Sequence, residues 1–151
     1  MTEFQEKLNL LQNNYHLNRN VDLNDKEILA LIISYPSLLV ATADNDFDEK
    51  EQELLISLAI GLLEEFENKE FSEQEILNYE DKFLNEFFYL IENSSDWKEN
   101  FLNFLLLFAS PEFKEIQSAI KHMLIDIAEV SVGISKKEQE VIEFINSNYL
   151  C

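Results

Sequence analysis

The sequence Ala41-Thr-Ala-Asp-Asn-Asp-Phe-Asp-Glu-Lys-Glu-Gln-Glu53 returns in outline at Ala128-Glu-Val-Ser-Val-Gly-Ile-Ser-Lys-Lys-Glu-Gln-Glu140. In both copies a short polar residue, Asp48 or Ser135, precedes a glutamate by three positions, which is the capping-box pattern of a helix start. Each copy therefore predicts that an apolar helix ends, a short loop follows and a capped helix begins. We expect two related helix–loop–helix units in a bundle with internal pseudo-twofold symmetry.

Further helix starts lie on both sides of these two units. The capping pattern also occurs at Thr2/Gln5, Asn24/Glu27 and Ser72/Glu75. Ser110 before Pro111, and Ser95 or Asp96, mark two more starts. Behind these starts, apolar residues recur at intervals of three and four, so about seven helices are predicted, roughly at 3–14, 25–43, 49–66, 73–93, 96–109, 111–131 and 136–148. Pro36 is expected to kink the second helix or to split it at Tyr35.

Length and composition agree with an all-α protein. The chain has 151 residues, the usual size of one domain, and no linker rich in Ser, Gly or Pro divides it, so we expect a single domain over 1–151. Only two Gly and two Pro are present, whereas a sandwich or barrel of short strands needs many more turn residues.

The net charge of −19 limits the classes of binding partner that we expect. It disfavours direct binding to nucleic acid and to anionic membranes, and it leaves divalent cations and basic protein surfaces. The single Cys excludes an intramolecular disulfide framework. No signal peptide and no apolar run of 18 residues is apparent, so we expect a cytoplasmic protein that does not insert into membranes and that has a protein partner.

The loop of the first unit is a candidate metal site. Asp44, Asp46, Asp48 and Glu51 alternate through it, and convergent carboxylates are the ligands that Ca²⁺ and Mg²⁺ prefer. The first three imitate positions one, three and five of an EF-hand, but a glutamate replaces the glycine of position six and Leu55 replaces the glutamate of position twelve. The loop is therefore not an EF-hand.

A purely structural interpretation of the same loop stays open. In it, Asp48 caps the following helix, Glu49 and Glu51 favour its positive end, and Asp44 and Asp46 are solvated. A bound cation would relieve the repulsion among these acids. The second unit has Ser131, Gly133 and Ser135 at the positions of the three aspartates, so any metal is expected in the first unit.

Together these segments resemble the TerB-like family. The matching residues are Ala41, Ala43, Asp44, Phe47 and Glu51, with Ala128, Gly133, Ile134 and Glu138 in the second copy. Asn45-Asp46 replaces the glycine that usually follows the family's aspartate, and Ser131 replaces the second copy's aspartate. The resemblance implies a bundle of about seven helices, a non-enzymatic binding or scaffold role in stress or tellurite resistance, and a divalent-cation site. Its carried-over ligands are Asp44 and Glu51, then Asp48.

No catalytic group is apparent, so we do not expect an enzyme. His16 and His122 lack a nucleophile motif beside them, and neither completes a Glu-x-x-His pair for a di-iron site. The alternative function is an acidic inhibitor, an immunity protein or nucleic-acid mimic, that neutralises a basic partner. Residues 64–99 would then matter most, because they carry twelve acids against three lysines. We interpret them as a solvated face whose other side holds Phe83, Phe87, Phe88, Leu90 and Ile91.

Trp97 has two interpretations. It either packs onto the bundle as part of the core, which we favour, or anchors a partner protein, since Trp and Tyr dominate binding hot spots.

Overall fold

A computed structural model describes residues 2–130 and 134–150. The α-helices it contains are α1 (Glu3–Arg19), α2 (Asp25–Ala41), α3 (Glu49–Glu67), α4 (Glu73–Glu92), α5 (Ser94–Phe104), α6 (Lys114–Glu129) and α7 (Lys136–Asn148). Two short 3-10 segments, Leu105–Ala109 and Pro111–Phe113, connect α5 to α6. These ranges contain no strand, so the prediction of an all-α bundle of about seven helices is confirmed. None of these helices is both long enough and apolar enough to cross a membrane.

The predicted capping boxes form as reciprocal hydrogen bonds. At Asn24, Asp48, Ser72 and Ser135 the side chain accepts from the amide of the residue three positions on, and that glutamate accepts from the capping residue's own amide. Thr2 makes only the first of these bonds, from Gln5. Helix starts were predictable because the capping residues satisfy amides that the helix leaves unpaired.

Several predicted boundaries differ from the structure: α5 begins at Ser94 rather than behind Ser95 or Asp96, and three other boundaries differ by three residues or more. α1 continues to Arg19 and ends at Asn20, whose φ of 59° is a left-handed helix terminus. The segment after Phe104 tightens into a 3-10 turn, and α6 begins at Lys114 after another. The second copy's Ser131 and Gly133 lie outside the described residues.

α2 is the central helix, and Pro36 does not split it. The helix is continuous from Asp25 to Ala41, so the predicted split at Tyr35 is wrong. It packs most extensively against α3 and α6 and also contacts α1, α5 and α7. Every residue from Ala30 to Leu38 is buried, and this burial outweighs the hydrogen bond that proline cannot make.

An aromatic cluster joins α1, α2 and α5. The Phe101 ring lies 5.0 Å from that of Tyr35, 5.8 Å from Tyr15 and 6.1 Å from Trp97, measured between centroids. Trp97 is buried, and its indole N–H donates to the Tyr89 hydroxyl at 3.0 Å. Trp97 therefore belongs to the core, as the favoured interpretation predicted.

The acidic stretch 64–99 is solvated in large part but not throughout. Eight of its twelve acids are exposed. Glu86 is buried instead, because its Oε1 accepts from the Tyr15 hydroxyl at 2.9 Å and from Arg19 Nε at 3.2 Å. Phe88, predicted on the buried side, is 41% exposed. The predicted division of α4 into two faces is wrong at these two positions.

The Tyr15–Glu86 hydrogen bond leads to a stability prediction. Tyr15→Phe should lower the free energy of unfolding by about 1–2 kcal/mol, because the buried Glu86 carboxylate loses one of its two donors. Tyr149→Phe is the matched control, since Tyr149 is only partly buried, and should change stability by less than about 0.5 kcal/mol. Urea unfolding followed by circular dichroism measures both. Equal losses in the two variants would contradict the assigned role of this bond.

Candidate functional site

The acidic loop connects the central helix to α3. Its backbone turns at Asn45, which has a φ of 63° and donates its amide to the Thr42 carbonyl at 3.0 Å. Asparagine tolerates this left-handed conformation better than most residues. The Gln52 side chain then donates to the Phe47 carbonyl at 2.7 Å, which fixes the end of the loop against α3.

Two of the four predicted ligands hold the start of α3. Asp48 Oδ1 accepts from the Glu51 amide at 2.8 Å, and Glu51 Oε1 accepts from the Asp48 amide at 3.0 Å. Each carboxylate uses one oxygen in this pair of bonds. The capping interpretation of these two residues is therefore confirmed.

The other two predicted ligands lie at the surface. Asp44 and Asp46 are exposed, and Asp44 Oδ1 accepts from the Asp46 amide at 3.3 Å. The ion pairs within the described residues are Lys7–Glu3, Arg19–Glu86, Lys69–Glu75 and Lys82–Glu27. None of them neutralises Asp44 or Asp46.

Glu51 is the carboxylate of the site whose pKa is shifted by its surroundings. It is only 4% exposed, and burial raises its pKa to about 7. The hydrogen bond from the Asp48 backbone opposes this rise in pKa. The negative charges of Asp48, Glu138 and Asp44 add to it.

Glu138 brings the second unit into the site. It is 4% exposed and forms the capping box of α7 with Ser135, as Glu51 does with Asp48 at α3. Sequence reasoning noted Glu138 only as a matching position and not as a neighbour of Glu51. The alignment of the two copies pairs Glu138 with Glu51, and this pairing could have identified Glu138 as a candidate residue of the site.

The carboxylates of the loop and of Glu138 are not arranged as a metal site in this structure. The negative charges of Asp48, Glu138 and Asp44 raise the pKa of Glu51. Among residues 2–130 and 134–150, no three His, Cys, Asp or Glu side chains are placed so that they could hold one ion. A cation here would have to draw the carboxylates of Asp44, Glu51 and Glu138 closer together.

The two histidines have ordinary surroundings. His16 Nε2 accepts from the Leu23 amide at 3.0 Å, which ties the end of α1 to the following turn. His122 is exposed on α6.

Comparisons of the chain with protein-family models, with curated proteins and with solved structures give no match. The TerB-like resemblance therefore stays a prediction from the two sequence segments.

Proposed function

We propose that this chain is a non-enzymatic, TerB-like binding and scaffold protein that takes up a divalent cation, Ca²⁺ or Mg²⁺, beside the start of α3. The proposal places it in the cytoplasm and in a stress response such as tellurite resistance. The main observation in its favour is that the negative charge of Glu138 raises the pKa of Glu51. Each is the buried glutamate of a capping box, and the two come from the two copies of the repeated sequence.

The cation would act through electrostatics. Four carboxylates, those of Asp44, Asp48, Glu51 and Glu138, lie near enough for three of them to raise the pKa of the fourth. A divalent ion replaces their mutual repulsion by attraction, and hard oxygen ligands suit Ca²⁺ and Mg²⁺. Since Asp44 is on the loop and Glu138 on α7, uptake of the ion would fix the junction of α2 and α3 against the second unit.

Calorimetric titration of metal-stripped protein with Ca²⁺, Mg²⁺, Mn²⁺ and Zn²⁺ tests the proposal. We expect stoichiometric binding of one ion, lost in the double variant Asp44→Asn/Glu51→Gln and weakened in Glu138→Gln. Glu80→Gln/Asp81→Asn is the matched control, because it also removes two negative charges, in this case from exposed positions on α4. It should bind as the unmodified protein does.

Weak heats from many sites, unchanged by Asp44→Asn/Glu51→Gln, would remove the metal from the proposal. The capping role of Asp48 and Glu51 would remain. That result would favour the alternative, an acidic inhibitor of a basic protein, whose support is the eight exposed acids of residues 64–99.

A further inference from the structure

A cavity of about 440 Å³ opens beside the acidic loop. It lies between the C-terminal half of α2, the loop itself and the junction of α4 with α5. Its apolar walls are formed by Leu38, Leu39, Phe47, Phe88 and Ile91. A cavity of this size and lining can accept a small ligand or one large side chain of a partner.

The cavity has an aromatic rim that the fold leaves uncovered. Phe88 is 41% exposed although it lies on the helix that contributes Phe83 and Phe87 to the core. Its ring meets Phe47 edge to face, with 6.0 Å between centroids. Two phenyl rings in this arrangement offer a surface against which a third aromatic ring can pack.

A tyrosine hydroxyl is buried in the same wall. Tyr35 lines the cavity and is 1% exposed, and burial raises its pKa to about 12. A hydrogen bond from the Ser94 side chain, which also lines the cavity, opposes this rise in pKa. The Tyr35 hydroxyl is thus matched within the protein, and the rim of Phe47 and Phe88 is the part of the cavity that a ligand can contact.

The charge around the cavity indicates what kind of segment carries the anchoring group. Asn45 lines the cavity and is flanked by Asp44 and Asp46, both exposed and neither ion-paired within the described residues. The whole chain carries a net charge of −19. Positive side chains are therefore attracted to this rim, whereas a carboxylate would be repelled.

A neighbouring cavity differs from the first in the charges that line it. It has a volume of about 550 Å³, shares Leu39 with the first cavity, and has Lys98, Lys137 and Glu140 as its charged lining residues. Two lysines against one glutamate make this lining less favourable for a basic segment than the loop side of the first cavity.

We propose that the cavity bounded by Leu39, Phe47 and Phe88 binds one aromatic side chain presented by a basic segment of a partner protein. The ring packs on Phe47 and Phe88, and lysines or arginines beside it face Asp44 and Asp46. This inference rests on the proposed binding role and names its partner class, but it does not require the cation.

Three synthetic peptides test the proposal on the full chain. The first is acetyl-Lys-Lys-Gly-Trp-Gly-Lys-Lys-amide, the second has Ala in place of Trp, and the third has Glu in place of every Lys. Amide shifts of the ¹⁵N-labelled protein locate and quantify binding. We expect the first peptide to cause saturable shifts at Leu39, Asn45 and Ile91, and the other two to bind at least tenfold more weakly.

Matched variants separate this cavity from its neighbour. Phe88→Ala should weaken the first peptide at least fivefold. Phe144→Ala removes a similarly exposed ring, 46% against 41%, from the second cavity and should leave affinity unchanged within twofold.

Some outcomes would overturn the inference. These are equal binding of the Trp and Ala peptides, shifts confined to the exposed acids of α4, or no saturable binding. Each titration is run in EDTA and in Ca²⁺. If calorimetry detects the cation site but the peptide does not bind, only the proposed partner class is refuted. If the peptide binds but calorimetry detects no cation site, only the proposed metal binding is refuted.

Discussion

Replacement of Phe101 by alanine is expected to lower the free energy of unfolding by about 3–5 kcal/mol. The side chain is fully buried, and its ring meets those of Tyr15, Tyr35 and Trp97 with centroids 5.0–6.1 Å apart. Alanine removes the apolar area and leaves a cavity among three rigid rings that cannot close around it. Since domains of this size are stable by about 5–15 kcal/mol, the loss is a large fraction of the total.

Urea unfolding followed by circular dichroism and by the fluorescence of Trp97 measures this loss. Phe88→Ala is the control for the residue type and should cost less than about 1 kcal/mol, because 41% of that side chain is already exposed. The loss of stability in Phe101→Leu should lie between those of the two alanine variants, at roughly 1–2 kcal/mol. This loss can be measured even if Phe101→Ala does not fold. Similar losses for Phe101→Ala and Phe88→Ala would refute the central role of the aromatic cluster.

Glu51→Gln is expected to stabilise the protein at pH 8 by about 2–3 kcal/mol, in EDTA, and to have little effect at pH 4.5. Glutamine keeps an oxygen that accepts from the Asp48 amide, so the helix cap survives while the buried charge disappears. The folded-state pKa of Glu51 is raised from 4.5 to about 7. Well below pH 4.5 the carboxyl is protonated in both states and the raised pKa has no effect on stability, and at pH 4.5 the effect is still small.

The pH window follows from those two values. As pH rises from 4.5 to about 7, the unfolded chain releases this proton before the folded chain does, so the contribution of Glu51 to stability falls through that range. Glu75→Gln is the matched control, because Glu75 has the same position in the capping box of α4 and an exposed side chain. Its pKa is lowered, by hydrogen bonds from the Ser72 backbone and from Lys69, so this variant should gain no stability at pH 8. A gain in Glu51→Gln that is equal at pH 4.5 and pH 8 would contradict the electrostatic account.

Helix positions were predictable because their determinants are local. A capping residue and its glutamate lie three positions apart, so the starts of α2, α3, α4 and α7 follow from residue type. The predicted end of α1, at residue 14, is five residues too early, since the helix continues to Arg19. Tertiary contacts extend the helix, because Tyr15 is fully buried and Arg19 reaches Glu86.

The site was predictable only in its first unit. Alternating aspartates identified the loop, and Asp48 and Glu51 occupy the capping positions that their types predict. The alignment of the two copies pairs Glu138 with Glu51, but the effect of the Glu138 charge on the pKa of Glu51 depends on how distant helices pack and follows from no local pattern. The same reason applies to the cavity at Phe47 and Phe88 and to Glu86, whose partners in α1 are 71 and 67 residues away.

The distance along the chain between α1 and its partners has a consequence for synthesis. Arg19 leaves the ribosome 67 residues before Glu86, which at 5–20 residues per second is roughly 3–14 s earlier. Trp97 and Phe101, which pack on Tyr15, follow later still. During that interval the apolar face of α1, formed by Leu8, Leu11 and Tyr15, has no native partner in α4 or α5. The contacts of α1 are thus completed only after α4 and α5 have been translated, and its apolar face lacks those contacts while the intervening residues are made.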